Sequence, residues 1–305
     1  DYLEGKRLYR VADRRNLAAL ELYRLTKSQR WHSLFLETTV FKEPDVRAVV
    51  PNVHDQMDAA FLYASLNHAV RTVDSIRATD TESTAIKQAE ELADSQSLDL
   101  KEQSNEQSIK QSKQQPDTAL KIPVNEAIQL NAKRAFLRQA NQLVRFTKTT
   151  AFGWSKPREK VPLGWRNGLG APASVDILRA HALTNDDKYL QAGVSATQFA
   201  AGANPDNMVF TTGLGDRSPQ NPLIIDQRLT AQDPPPGITV FGPADFSFHR
   251  DYWTLDVIAK DTFPDPEYWP TVENYFDIYK YPIGAEFTVD YMVASSYTWG
   301  YLAAR

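Results

Sequence analysis

At 305 residues with a net charge of −4 and no long basic run, the chain can bury a large core and offers nothing suited to a nucleic-acid partner. It has no cysteine, which excludes disulfides, thiolate zinc sites and a cysteine nucleophile. No stretch approaches the roughly 18 apolar residues that cross a bilayer, so no membrane association is expected. The chain opens Asp1-Tyr2-Leu3-Glu4-Gly5-Lys6, with neither an initiator Met nor the apolar core of a signal peptide. It is expected to begin inside a longer protein.

The first predicted elements are two helices joined by a short turn. Leu17, Leu20 and Leu25 have helical spacing before it, and Trp31, Leu34 and Phe35 have it after. The same pattern returns at Arg179–Leu190: a helix ends at Leu183-Thr184, and Tyr189 stands five residues after the threonine, as Trp31 does after Thr26. Repeated hairpins of this kind suggest an array or toroid of paired helices, each burying its apolar face on a neighbour. A further helix is predicted from Asp55 to about Val73. No aromatic then occurs between Tyr63 and Phe136, and residues 77–121 are mostly Ser, Gln, Lys, Glu and Asp. Such a stretch buries too little apolar surface to offset its ordering entropy, so it is expected to be a mobile insertion with its ends close together. Helix resumes over about Asn125–Thr147. Gly- and Pro-rich loops follow around Phe152-Gly153-Trp154 and Trp165, and another helix pair is predicted over 173–200.

Residues 206–283 hold ten prolines and little periodicity, which predicts long ordered loops of the functional kind. A last helix is predicted from about Ala285 to Ala304. Seventeen of the 33 aromatics lie in the final 65 positions. Aromatic faces beside carboxylates suit sugar rings, whose C–H faces stack while their hydroxyls form hydrogen bonds. A packed aromatic core is the alternative for any one of them. No histidine among His32, His54, His68, His181 and His249 has a partner at i+3 or i+4, and the glycines of Thr212-Gly213-Leu214-Gly215 are not followed by Lys-Ser/Thr. No metal and no cofactor are therefore expected.

The segment Tyr275-Phe276-Asp277 … Glu286-Phe287-Thr288-Val289-Asp290-Tyr291 resembles the C-terminal active-site signature of glycoside hydrolase family 9, the inverting cellulases on an (α/α)6 barrel. Tyr275, Asp277, Glu286 and Thr288 all fall in that pattern. Gly202-Ala203-Asn204-Pro205 and Thr211-Thr212-Gly213-Leu214-Gly215, continued by Arg217 and Pro222, are similar to a second family motif, and Phe152-Gly153-Trp154 with Trp165 to a third. The resemblance covers most of the chain outside the insertion. It implies an all-α fold, the C-terminal part of one (α/α)6 toroid spanning 1–305. It implies hydrolysis of β-glycosidic bonds in an oligo- or polysaccharide, and export from the cell.

By the same resemblance Glu286 is the general acid, kept protonated by apolar neighbours such as Phe287 and Tyr281, and Asp277 positions it or binds a hydroxyl. Tyr275 and Tyr291 border the sugar, and Trp154 and Trp165 are stacking platforms. The sequence departs from the family pattern at four positions. Leu223-Ile224-Ile225 replaces a polar His-x-Arg segment, whose role Asp226 and Arg228 are expected to take over. Pro282 stands where an aromatic is usual, and Met292 where Asn is. The Asp-pair motif that supplies the base is absent, so the base is expected upstream of residue 1. Two other readings stay open at this point: a carbohydrate-binding toroid without catalysis, and a polysaccharide lyase on a similar toroid.

Overall fold

The computed structural model describes residues 8–51, 53–67, 121–155, 174–243 and 254–305. The helices are α1 Leu8–Thr26, α2 Gln29–Thr38, α3 Met57–Ser65, α4 Glu126–Thr149, α5 Val175–Thr184, α6 Asp187–Gln198, α7 Ile225–Thr230, α8 Thr254–Ile258, α9 Pro282–Ala285 and α10 Val289–Ala303. One short antiparallel ribbon pairs β1 Val49–Val50 with β2 His54–Asp55. The chain forms two compact units, 1–135 with 304 and 136–303 with 305, which divide α4 between them. Residues 68–120, most of the expected insertion, lie outside the described residues, as does Trp165.

In the first unit α1 packs on α2, α3 and β2. Leu20 and Tyr23 of α1, Phe35 of α2 and Tyr63 of α3 are fully buried. Asp13, buried on α1, accepts from the backbone N–H of Asp55 at 2.7 Å and from Gln56 at 3.0 Å. That contact fixes the ribbon to the helix. The predicted helix from Asp55 stops earlier than expected, at Ser65, because Asn67 takes the left-handed conformation (φ 63°). The Asn67 side chain then exchanges two hydrogen bonds with the backbone of Ile122, at 2.6 and 2.7 Å.

The buried His32 stacks on Tyr23 with ring centroids 4.5 Å apart, and its Nε2 lies 2.9 Å from the Tyr63 hydroxyl. That hydroxyl also accepts from the Asn125 N–H at 2.8 Å. Burial holds the His32 imidazole below its usual 6.5, so the folded chain resists protonating it. The unfolded chain takes up a proton first as pH falls through 6.5. His32 therefore adds stability above that point and loses it below. The thermal midpoint of His32→Gln is expected to fall less steeply on acidification than that of wild type, other titrating groups being common to both. Parallel curves would show that His32 carries no such linkage.

In the second unit α5 and α6 repeat the hairpin of α1 and α2, and the two copies have one local structure. Thr26 and Thr184 each bond back to the carbonyl four residues earlier, Leu22 and Ala180. Each hydroxyl also accepts from the N–H two residues on, Ser28 or Asp186. Lys27 and Asn185 turn the chain in left-handed conformations, φ 60° and 55°. The Asp186 side chain caps α6 by accepting from the Lys188 N–H at 3.1 Å. The final helix also packs on α5, through Ser174–Thr298 and His181–Tyr301 contacts of 3.3 and 2.7 Å.

Candidate active site

The predicted last helix is broken at the residue of interest. Pro282 starts the single turn α9, and Glu286 ends it with extended backbone (ψ 156°) before α10 begins at Val289. Glu286 therefore sits on an extended link, half-buried, not on a helix. Its backbone is tied on two sides. The Phe241 N–H donates to the Glu286 carbonyl at 2.8 Å, and the Leu223 N–H donates to the carbonyl of Ala285 at 2.9 Å. One residue further back, the Gly242 N–H reaches the Gly284 carbonyl at 3.0 Å. Gly284 is required there, since a Cβ would lie 2.7 Å from the Tyr281 ring. Tyr281 itself is fully buried with Ile258 and Ile283.

Asp277 secures the facing loop. Its two carboxylate oxygens accept from the backbone N–H groups of Gln220 and Asn221 at 2.8 and 3.0 Å. The Tyr275 hydroxyl donates to Asp277 at 3.3 Å, and the Asn221 side chain donates a further bond to the Asp277 carbonyl. The loop that carries Pro222-Leu223-Ile224 is thus held at 220–221 by Asp277 and at 223 by the strand-like run into Glu286. These bonds bring the backbones of Asp277 and Glu286 to one loop, 220–223. Tyr275 is buried edge-on to Phe210 at 5.2 Å, and burial, with the Asp277 charge beside it, pushes its phenol well above the usual range.

The other expected residues are placed differently. Tyr291 is 3% exposed, edge-on to Phe241 at 4.9 Å. Trp154, expected as a stacking platform, is 2% exposed and packs in a core cluster with Phe199, Met208, Phe210, Val240 and Tyr275. No face of its indole is open to a sugar, because the rings of Phe152 and Phe199 pack against it. Arg228 is exposed on α7, its guanidinium 3.9 Å over the Tyr279 ring and bonded to the Tyr279 carbonyl at 3.0 Å. Asp226 is exposed in the first turn of the same helix.

One residue escaped the sequence reading. Asp206 directly follows the Gly202-Ala203-Asn204-Pro205 turn, in which the Asn204 side chain bonds to the backbone of Phe199 and Met208. With Arg217, Tyr275 and Asp277 it lines a cavity of about 330 Å³. Burial first, and the charge of Glu273 second, raise its carboxyl to about 6 against the pull of Arg217. Its position one residue past the motif was the available signal. Among the described residues no group of His, Asp or Glu is arranged to hold a metal, and no helix is long and apolar enough to cross a membrane.

The family model for glycosyl hydrolase family 9 matches residues 2–294. The chain belongs to this family. Solved family 9 structures have the same fold. An endoglucanase, J30, superposes with a TM-score of 0.62 at 17% identity, covering 96% of this chain and 42% of that one. A Bacteroides ovatus family 9 protein gives 0.56 at 17% identity, over 96% and 40%. AaCel9A, solved with a cellobiose-like isofagomine, gives 0.59 at 15% identity, over 97% and 44%. The chain thus spans less than half the length of the structures it matches. No curated protein sequence matches it. The helical hairpins of α1–α2 and α5–α6 are accordingly those of the family's (α/α)6 toroid.

Proposed function

We propose that this family 9 chain takes part in hydrolysing β-glycosidic bonds of a β-1,4-linked glucan or related oligosaccharide, by inversion. Glu286 is the general acid that protonates the leaving oxygen. A carboxylate outside residues 1–305 is the base that activates water on the opposite face, with about 6.5–9.5 Å between the two carboxyls. The observation that carries the reading is the tethering of Glu286. Hydrogen bonds to the Ala285 and Glu286 carbonyls fix the backbone that carries this half-buried carboxyl, the rigid support that an acid meeting one oxygen requires. Asp277 supports it by holding the 220–223 loop, and Tyr275 acts through Asp277. Arg228 and Asp226, exposed on α7, are the charged groups nearest in sequence to the apolar Leu223-Ile224-Ile225 run, and they bind the substrate in its place. Tyr291 shapes the wall behind Glu286 through Phe241, and the protein works outside the cell.

The products give the test. Proton NMR of fresh cello-oligosaccharide hydrolysate, taken before mutarotation, is expected to show the α-anomer. A β-anomer would mean retention and a second carboxylate close to Glu286. A second reading, a binding toroid without catalysis, is favoured by the apolar Leu223-Ile224-Ile225 run. It predicts oligosaccharide binding with no reducing ends released.

A further inference from the structure

The cavity beside Tyr275 has an unusual charge balance for a mostly apolar space. Met208, Ile258 and Phe276 supply apolar wall, and Asp206, Asp261, Asp277 and Arg217 supply the charge. Three carboxylates thus face one guanidinium, and Glu273 lies close enough to act on Asp206 as well. The carboxylates are not equivalent. Asp277 has both oxygens committed to the Gln220 and Asn221 N–H groups and to Tyr275. Asp261 is exposed at the surface. Asp206 lines the cavity while its Oδ2 is closed off from solvent and accepts no hydrogen bond from any described residue. Arg217 comes no nearer than a through-space influence, since no ion pair joins the two. An ionised carboxyl with one oxygen neither hydrated nor paired is costly to keep.

We propose that this cavity binds a protonated primary amine carried on a body with an apolar face, either an amino sugar or an aliphatic or aromatic amine, with Asp206 as the charge partner. The volume lies at the small end of ligand pockets, enough for a single ring. An ammonium group compensates the Asp206 charge, while the ring covers Met208, Ile258 and Phe276. A metal ion is a poor fit, because no three ligating side chains among the described residues, these carboxylates included, are arranged to hold one. The proposal does not depend on hydrolysis at Glu286, which is not among the lining residues, and either can fail alone.

Proton linkage gives the binding a signature. Asp206 is mostly neutral below its value of about 6 and mostly ionised above it. Glu273, Asp261, Asp277, Tyr275 and Arg217 are the other titratable groups around it. Amine binding should therefore strengthen roughly tenfold between about pH 5 and 7, with uptake of the amine releasing a proton from Asp206. The experiment is calorimetric titration of the whole chain with benzylamine against benzyl alcohol, and with glucosamine against glucose. Both amines, or one of them, are expected to bind with this pH dependence, and their neutral counterparts are not. Binding of glucosamine alone identifies an amino-sugar site; binding of benzylamine, alone or with glucosamine, identifies a general amine site. Asp206→Asn, which keeps the shape, should abolish the pH dependence and weaken binding at neutral pH about tenfold. Arg217→Gln should strengthen it several-fold by removing the competing cation. Binding of neither amine at millimolar concentration overturns the proposal. So does equal binding of the alcohols, pH-independent affinity, or an Asp206→Asn variant of unchanged thermal midpoint that binds as wild type does.

Discussion

Glu286→Gln, in a protein that contains the whole toroid, is expected to slow hydrolysis of cello-oligosaccharides by about a hundred- to ten-thousandfold, the usual worth of a positioned general acid. The substitution keeps the shape of the side chain and the backbone ties at Phe241 and Leu223. What it removes is the proton. A sugar leaving group needs that proton, since an expelled alkoxide is a strong base. A dinitrophenolate does not. The rate on a dinitrophenyl glycoside should therefore fall far less than the rate on the natural linkage, with KM little changed. Equal losses on both substrates would assign Glu286 to binding or structure. If the base lies outside residues 1–305, as proposed above, that chain alone is expected to be inactive. Turnover by that chain, abolished by Glu286→Gln, would show that both carboxylates lie within it.

The hairpins and the loop motifs were legible because their causes are local. A threonine hydroxyl that bonds back to Leu22 or Ala180, followed by a left-handed residue, terminates a helix wherever it occurs. Asn204 organises its turn through atoms four and five residues away. The spacing from Asp277 to Glu286 could likewise be read directly. What could not be read was the partner of each side chain. Asp277 meets residues 220 and 221, more than fifty positions back, and no periodicity encodes that. The break at Glu286 was hidden for a related reason. The helix pattern of Val289–Ala303 can be extended back through Ala285 on paper, yet hydrogen bonds to the backbone of 223 and 241 hold the link extended. The signal from Asp206, its place one residue past a motif, was weak because an aspartate after a turn is ordinarily solvated, and only tertiary burial makes it otherwise.

Trp154 shows the same limit, and its replacement has the largest expected effect on stability. Trp154→Ala should cost about 3–5 kcal/mol, the range for emptying the volume of a large aromatic in a packed core. Its ring meets Phe199 edge-on at 5.5 Å and lies 5.9 Å from Phe152, with Phe210 and Tyr275 in the same cluster. Thr150 also bonds to its carbonyl, fixing the end of α4 to this cluster. A stacking platform would behave in the opposite way: its loss would weaken oligosaccharide binding and leave the denaturation midpoint unchanged. Trp154→Phe separates the contributions further. The indole N–H is buried with no partner among the described residues, so phenylalanine removes an uncompensated donor along with some volume. The second effect is offset in part by the first. Trp154→Phe should therefore cost clearly less than the alanine change in chemical denaturation, and leave saccharide affinity as it was. A midpoint that does not move in either variant would return Trp154 to the surface and to the sugar.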